Sequence, residues 1–292
     1  MNSLSVKNAM TANESILTWP AKSDLLDALN RDGYVVFSTE QFSLTLFSEL
    51  IGELCETLTF DPARHYATSA VQTVDAGADA VGLHIENGNT PLPPDLVSFY
   101  SAKSAQRGSQ TTVCDGIAVL EAMSDQLRRQ FEQPFTMQRR LPKLIWQRYV
   151  ATAFNIESVE SVTVAMLEQF IAAVEGQSFT LLDDGAIDYR LKVKAIRDDN
   201  LLGKPAFANA LLGPSYNYEA PIYVFADGSL IDEAILAELR AIGERYTHEI
   251  AWRDGDVAII DNKRVMHGRR AIDVPLDERR LYIAMGLGVR SS

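Results

Sequence analysis

The chain has 292 residues, of which 47% are hydrophobic and 23% are charged, so it can bury a large core in one big domain or two smaller ones. Its formal net charge of −12 argues against nonspecific nucleic-acid binding, which requires a basic surface that displaces counterions. The sequence has no run of about 18 apolar residues and no secretory signal pattern, and two cysteines are too few for a disulfide framework. These features predict a cytoplasmic protein without a membrane or nucleic-acid partner.

The first part of the chain predicts a mixture of helices and short strands. An irregular arm over 1–16 precedes a short helix at 23–29 and a strand at 34–38. Apolar residues spaced by about 3.6 positions predict a helix over 42–57. Four short strands are then expected, at 70–74, 81–86, 96–102 and 110–114.

The second part continues this pattern with few helices and many strands. Helices are expected at 117–131, 158–174 and 230–246. Strands are expected at 135–141, 179–182, 189–196, 248–252, 257–260 and 280–287. The second and third of these flank the turn Asp183-Asp184-Gly185, which predicts a hairpin. Because strands and helices do not alternate regularly, a doubly wound sheet is disfavoured and a double-layer jelly roll is favoured. We therefore expect a mainly β fold with flanking helices, formed by a single domain over 1–292 with a helical insert at about 143–175.

A histidine and a glutamate stand two residues apart in an apolar setting. In an extended chain such residues point to the same face, so His84 and Glu86 would project inward together. The pair is weak evidence by itself, since the two side chains could simply hydrogen-bond each other on a sheet. His65 and His248 have no such carboxylate companion, and we interpret them as ordinary polar residues.

A second group of motifs lies near the C-terminus, well after this His-x-Glu pair. It consists of Gly255-Asp256, Ile260-Asp261-Asn262 and His267-Gly268-Arg269. Further matching stretches are Pro94 to Tyr100, Gly108 to Thr111 and Asp115-Gly116. Together they resemble the taurine dioxygenase/clavaminate synthase-like family of Fe(II)/2-oxoglutarate-dependent oxygenases, with the matches over about 81–116 and 254–287. The resemblance implies a double-stranded β-helix, which is a cupin-like jelly roll.

The resemblance implies that His84, Glu86 and His267 are the catalytic iron ligands. Two imidazoles and one carboxylate on one face of a metal leave the other positions open, as a non-haem Fe(II) oxygenase requires. The open positions would take 2-oxoglutarate as the cosubstrate and O2.

The resemblance also implies that a fixed cation binds the distal carboxylate of 2-oxoglutarate. Arg279 matches the family arginine, whose guanidinium can clamp a carboxylate with two parallel hydrogen bonds. Arg280 is the alternative, because a register shift of one residue on a strand would exchange the two roles. Thr111 matches the family threonine that supports the cosubstrate carboxylate, although it could also be an ordinary strand residue.

The expected reaction is hydroxylation of an unactivated C–H bond in a small amino-acid-like or natural-product substrate. The same chemistry could yield desaturation, epoxidation or cyclisation. Glu86 argues against a halogenase, since related halogenases carry a small residue at that position. Two other classes stay open, namely a Zn-dependent hydrolase or isomerase at the same ligands and a non-catalytic jelly-roll binding protein.

Three residues are candidates for substrate binding, namely Asn87, Phe207 and Asn209. A basic run, Arg139-Arg140 to Arg148, interrupts an otherwise acidic protein. It could bind an acidic carrier protein that bears a tethered substrate, or it could be a solvated face. A homodimer is compatible with the sequence.

Overall fold

The structure, a computed structural model, describes residues 19–39, 42–61, 64–75, 77–213 and 220–290. The arm expected over 1–16 lies outside these residues. Within them the helices are α1 (Lys22–Asp32), α2 (Leu44–Leu54), α3 (Gly116–Ala122), α4 (Asp125–Gln130), α5 (Lys143–Ala153), α6 (Val164–Ala172) and α7 (Glu233–Arg245). Two short 3-10 helices are Val159–Ser161 and Leu276–Glu278. No helix of the described ranges is both long and apolar enough to cross a membrane.

Strands make up most of the remaining regular structure. Those of the first half are β1 (Tyr34–Ser38), β2 (Cys55–Thr59), β3 (Gln72–Thr73), β4 (Val81–His84), β5 (Leu96–Lys103), β6 (Thr111–Asp115) and β7 (Phe135–Leu141). Those of the second half are β8 (Gln177–Leu181), β9 (Ile187–Val193), β10 (Ile196–Arg197), β11 (Ala206–Phe207), β12 (Ile222–Val224), β13 (Thr247–Ile250), β14 (Asp256–Asp261), β15 (Val265–Arg269) and β16 (Arg280–Val289).

Two antiparallel sheets form the jelly roll. The larger has the order β1-β14-β5-β16-β2, with β3 also paired to β16, and the smaller has the order β13-β6-β15-β4. Apolar side chains from both sheets form one buried cluster, which includes Phe99 and Ile260 from the larger sheet and Val113 and Val265 from the smaller. The expected mainly β fold is confirmed, and the smaller sheet carries the candidate histidines.

A third antiparallel sheet, with the order β12-β7-β9-β8, lies beside the jelly roll. Helices α5 and α6 pack against each other, and α6 also contacts β8. The apolar residues of this sheet and its helices share one buried cluster with Ile85 and Met266, which adjoin the candidate ligands. The helical segment expected at 143–175 therefore belongs to a larger layer that also contributes a sheet.

Helices α1 and α2 contribute to a separate buried cluster together with residues of the larger sheet. Helix α2 is capped by Ser43, whose side chain accepts a hydrogen bond from the backbone N–H of Leu46, and the helix buries Phe47 and Leu50. The prediction of helix through residue 57 is wrong at its end, because β2 begins at Cys55 and pairs with β16. The sheet pairing takes these residues out of the helix.

The helix expected at 117–131 is divided into α3 and α4. The side chain of Ser124 accepts a hydrogen bond from the backbone N–H of Leu127 and so starts a new helix. The hairpin expected around 183–185 is confirmed, since β8 and β9 pair on either side of this turn. Local cap and turn residues explain both outcomes.

Candidate metal centre and cavity

The first two candidate ligands lie at the end of β4. The strand ends at His84, and Glu86 lies in the turn that follows. The expectation that both residues share a strand face is therefore wrong for Glu86. Its backbone is held instead by the buried side chain of Asn262, whose Oδ1 accepts from the Glu86 N–H at 2.7 Å. The same amide donates to the Glu86 carbonyl at 3.1 Å.

The third candidate, His267, lies on β15 directly opposite His84 in the antiparallel register. The two imidazole centroids are 4.5 Å apart. Nε2 of His267 is 3.4 Å from Oε2 of Glu86. One donor atom from each of the three residues lies within 4.8 Å of the others. The tertiary fold thus brings together three side chains separated by up to 183 positions in the sequence.

Hydrogen bonding and burial prepare His84 to act as a metal ligand. Its Nδ1 donates to the carbonyl of Gly82 at 2.8 Å, so Nε2 retains its lone pair. Burial, followed by the charge of His267, lowers the pKa of His84 to about 4. The imidazole is therefore neutral at physiological pH, as metal coordination requires.

Glu86 is paired with Arg64, a residue that the sequence did not single out. Nη2 of Arg64 lies 2.9 Å from Oε1 of Glu86, and both side chains are largely buried. Burial alone would raise the pKa of Glu86, but the charge of Arg64 and the contact with His267 together hold it well below its usual range. Arg64 lies 22 residues before Glu86, and no local pattern in the sequence links the two positions.

These donors fit an Fe(II) ion. Two imidazoles and an ionised carboxylate each place one donor atom within 4.8 Å of the others, and this is the donor set of a facial triad with open positions. Oε2 of Glu86 faces His267, whereas Oε1 faces Arg64. One carboxylate oxygen is thus directed toward the two histidines while the other is held by the guanidinium.

A cavity of about 690 Å³ opens on the triad and is lined by His84 and Glu86. Its other lining residues include members of the third sheet and its helices, namely Met137, Arg139, Leu141, Trp146, Phe170 and Tyr189. Its volume is in the range of small-molecule sites, and it combines apolar walls with a few polar groups. The third sheet therefore forms a wall of the candidate active site.

The residues expected to hold the cosubstrate lie at one end of the jelly roll. Thr111 is a buried residue of β6 and pairs with Arg269 of β15. Arg269 is two positions after His267 on that strand. Oγ1 of Thr111 accepts a hydrogen bond from Nε1 of Trp252 at 2.9 Å. Arg269 is close enough to Arg279 for its charge, together with the larger effect of burial, to lower the pKa of Arg279 to about 10.

The structure distinguishes the two candidate arginines. Arg279 is partly buried and donates to the carbonyl of Val74 at 3.3 Å, whereas Arg280 is exposed at the start of β16. Within the described chain, Arg279 has no carboxylate in ion-pair contact. Arg279 is thus the more buried of the two candidates, and its role as the clamp for 2-oxoglutarate stays a prediction.

The three residues expected to contact the substrate differ in their position relative to the cavity. Asn87 lines the cavity and has a positive φ of 54°, a conformation that asparagine tolerates. Phe207 is buried and packs on Phe131, outside the described cavity lining. Asn209 is also buried, with Nδ2 donating to the Ala195 carbonyl and Oδ1 accepting from the Leu211 N–H. Phe207 and Asn209 are thus buried beside the site and are not among the lining residues of the described cavity, and their role in substrate binding stays a prediction.

The remaining two histidines stay apart from the cluster. His65 is exposed and contacts Asp75, and His248 is exposed on β13. Within the described residues, the one group of histidine, cysteine and acidic residues with metal-binding geometry is the triad.

Known proteins resemble this chain over nearly its whole length. It is 24% identical to the dapdiamide synthesis protein DdaC of Enterobacter agglomerans, over 97% of this chain and 90% of DdaC. The structure resembles a putative alpha-ketoglutarate-dependent taurine dioxygenase from Burkholderia xenovorans, with a TM-score of 0.59, 15% identity, and coverage of 94% of this chain and 87% of that one.

A second solved structure is an asparagine oxygenase in complex with Fe(II), 2S,3S-3-hydroxyasparagine and succinate. Its TM-score is 0.53 at 15% identity, and the match covers 92% of this chain and 80% of that one. Residues 11–285 match the sequence model of a protein family that is described as "Taurine catabolism dioxygenase TauD, TfdA family". The chain therefore belongs to the TauD/TfdA family and is an Fe(II)- and 2-oxoglutarate-dependent dioxygenase.

Proposed function

We propose that this enzyme hydroxylates an unactivated C–H bond of a small amino-acid-like substrate, with His84, Glu86 and His267 as the iron ligands. The observation that carries the proposal is the convergence of these three donors within 4.8 Å beside a cavity of about 690 Å³. When bound, the metal couples decarboxylation of 2-oxoglutarate by O2 to oxidation of the substrate. The protein supplies the ligand geometry, the substrate position and the exclusion of water.

Arg64 and Asn262 hold Glu86 in place from two directions. Asn262 holds the Glu86 backbone, and Arg64 holds Oε1 of the carboxylate. With Oε1 occupied, Oε2 is the oxygen available beside His267. Ligands that are fixed by their own hydrogen bonds need little reorganisation when a metal binds.

Arg279 is the proposed clamp for the distal carboxylate of 2-oxoglutarate, with Thr111 as its companion. The partly buried guanidinium of Arg279 donates to the Val74 carbonyl and has further N–H groups that can bind an anion. Burial of this cation lowers its pKa, and an arriving carboxylate would stabilise its charge. Arg280, which is exposed, is the weaker candidate.

The substrate class is inferred from the cavity and from the names of two similar proteins. Polar groups such as Asn87 and Arg139 lie among apolar and aromatic walls, which suits a small molecule with both polar and apolar parts. One similar protein takes part in dapdiamide synthesis, and another is an asparagine oxygenase. Both names support an amino-acid-like substrate or a natural-product intermediate for this chain.

The iron site is tested by the visible charge-transfer band of Fe(II) and 2-oxoglutarate in the absence of O2. We expect this band in the intact protein, its loss in His267→Ala, and its retention in His248→Ala, which removes an exposed histidine outside the cluster. A wild-type protein without the band would contradict the proposal. A His267→Ala variant that still consumes 2-oxoglutarate at the normal rate would contradict it as well.

The reaction outcome is tested by screening amino acids and related biosynthetic intermediates for substrate-stimulated succinate formation. Mass spectrometry of the product then distinguishes the reactions, because hydroxylation adds one oxygen atom and desaturation removes two hydrogens. We expect addition of oxygen. A product that has only lost hydrogen would replace hydroxylation with desaturation or ring closure.

A further inference from the structure

The cavity-facing side of β7 carries one cation in an apolar row. Phe135, Met137, Arg139 and Leu141 alternate along the strand and so share a face. The three apolar members belong to the buried cluster, and Met137, Arg139 and Leu141 line the cavity. A guanidinium at a cavity wall can offer parallel donors to an anion in the cavity. This position therefore places a cation within reach of a bound small molecule.

The side chain of the neighbouring residue Arg140 lies on the opposite face of β7. It forms an ion pair with the exposed Asp184. The basic run seen in the sequence is thus divided by the strand, so that Arg139 faces the cavity and Arg140 faces solvent.

Two arginines are found among the described residues that line the cavity, and they differ in their surroundings. Arg64 is 2.9 Å from Glu86 and 3.6 Å from Asp61. An anionic ligand that bound Arg64 would compete with the proposed metal ligand Glu86. Arg139 lies on the third sheet, and an anion bound there would leave the contacts of Glu86 intact.

Asn89 lines the same cavity as Arg139, and the buried Tyr223 holds its side-chain amide. Tyr223 on β12 pairs with Met137, and Arg139 is the next residue of β7 on the same face. The Tyr223 hydroxyl donates to the Ala210 carbonyl and accepts from Nδ2 of Asn89 at 3.2 Å. These bonds fix the orientation of the Asn89 amide, and within the described chain its buried Oδ1 has no hydrogen-bond partner. The cavity lining therefore includes both a cation and an unsatisfied acceptor.

We propose that Arg139 binds the carboxylate of the substrate and that Asn89 accepts a hydrogen bond from a nearby N–H of the same molecule. The ligand class is a carboxylic acid with an amino or amido group close to the carboxylate, such as an amino acid or an N-acylamino acid. The inference rests on the proposed function, since it places this group in the same cavity as the metal ligands. It adds the feature by which the enzyme would select its substrate.

The test measures binding without turnover. Protein loaded with Mn(II) and N-oxalylglycine is titrated with a panel of amino acids and N-acetylamino acids and with their matched carboxamides. We expect the best acid to bind wild type at least about tenfold more tightly than its carboxamide, because a charged guanidinium–carboxylate pair is lost in the amide. Arg139→Gln should reduce this preference to near unity, and Arg140→Gln should retain it.

Arg139→Lys keeps the charge but removes the fork of donors, so it should give an intermediate preference and protects the test against misfolding of the glutamine variant. A wild-type protein that binds no acid more tightly than its amide overturns the proposal. An Arg139→Gln variant with an unchanged preference overturns it too. Removal of the N–H from the best acid should weaken binding to wild type but not to Asn89→Ala, and equal losses in both would overturn the role of Asn89.

Failure of this inference is distinguishable from failure of the proposed function. The charge-transfer band of Fe(II) and 2-oxoglutarate should be the same in Arg139→Gln and wild type, because Arg139 is on a different sheet from His84 and His267. A normal band without any acid preference rejects the carboxylate site alone. An acid preference in a protein that never shows the band rejects the oxygenase chemistry but supports the carboxylate site.

Discussion

The amide of Asn262 holds the backbone of Glu86 on both sides, accepting from its N–H at 2.7 Å and donating to its carbonyl at 3.1 Å. The same Nδ2 donates to the carbonyl of Pro94 at 2.9 Å. Asn262 is fully buried and lies 176 positions from Glu86. The strand ends before Glu86, so this amide takes over the role that a strand ladder would have had.

Replacing Asn262 with alanine should destabilise the fold and weaken metal binding. Three buried hydrogen bonds are lost, and we expect the free energy of unfolding to fall by about 2–4 kcal/mol. Urea denaturation measures the first effect, and calorimetric Mn(II) titration measures the second. Asn200→Ala is a matched control, because Asn200 also makes several backbone hydrogen bonds but lies outside the site. Equal Mn(II) affinity in Asn262→Ala and wild type would contradict the positioning role.

Replacing Arg64 with methionine should destabilise the metal-free protein at neutral pH. The buried Glu86 carboxylate would lose its charge partner, at a cost of about 3 kcal/mol. The pKa of Glu86 is lowered in the folded protein, so its contribution to stability is present above its unfolded pKa and is lost as the pH falls. The difference in free energy of unfolding between Arg64→Met and wild type should therefore become smaller at acid pH. Urea denaturation over a pH series measures it.

Arg140→Gln is the control for this prediction. It breaks an exposed ion pair with Asp184 and should change the free energy of unfolding by no more than about 0.5 kcal/mol. If Arg64→Met and Arg140→Gln have the same small effect, the Arg64–Glu86 pair does not stabilise the fold.

Asp261 should make the protein less stable as the pH rises from about 4 to 7. This residue is buried, and burial raises the pKa of its carboxyl to about 6 despite hydrogen bonds from the Leu201 and Lys263 N–H groups. The folded state therefore binds the proton more tightly than the unfolded state. The stabilisation is complete below the unfolded pKa and is lost as the pH rises through the folded pKa of about 6.

The measurement compares wild type with Asp261→Asn by urea denaturation over this pH range. Wild type should lose about 3 kcal/mol relative to the variant between about pH 4 and 7. Other groups that titrate in this range, including His84, are present in both proteins and cancel in the difference. Parallel curves would show that Asp261 does not have the raised pKa.

Two glycine-to-alanine substitutions should change the free energy of unfolding in opposite directions. A Cβ at Gly268, next to His267, would lie 2.5 Å from the Val81 carbonyl oxygen and 2.8 Å from Thr112 Oγ1, so Gly268→Ala should cost about 1–3 kcal/mol. Gly52 is an exposed residue of α2, and a Cβ added there would have no atom within 4 Å, so Gly52→Ala should stabilise by about 0.5–1 kcal/mol. Thermal unfolding checks both, and stabilisation by Gly268→Ala would show that β4 and β6 can move apart.

Much of the fold and of the triad was predictable from the sequence. Apolar spacing predicted α2 and α7, and the Asp183-Asp184-Gly185 turn predicted the β8–β9 hairpin. These features depend on neighbouring residues, whose periodicity and turn preferences are visible in the sequence. The His-x-Glu pair and His267 were recognisable because their motifs together resemble a known family pattern, and their roles as iron ligands stay a proposal.

The surroundings of these residues were decided only by the tertiary structure. Glu86 lies beyond the end of β4 and is bound by Arg64, which is 22 residues earlier in the sequence. Phe207 and Asn209 are buried in the core. Sequence alone assigned Arg139 and Arg140 to one basic run, whereas β7 directs them to opposite faces. Composition and spacing determined which chemical groups this chain possesses. Packing between sheets and loops far apart in the sequence decided which of them meet, because such contacts depend on the burial of whole elements rather than on local preference.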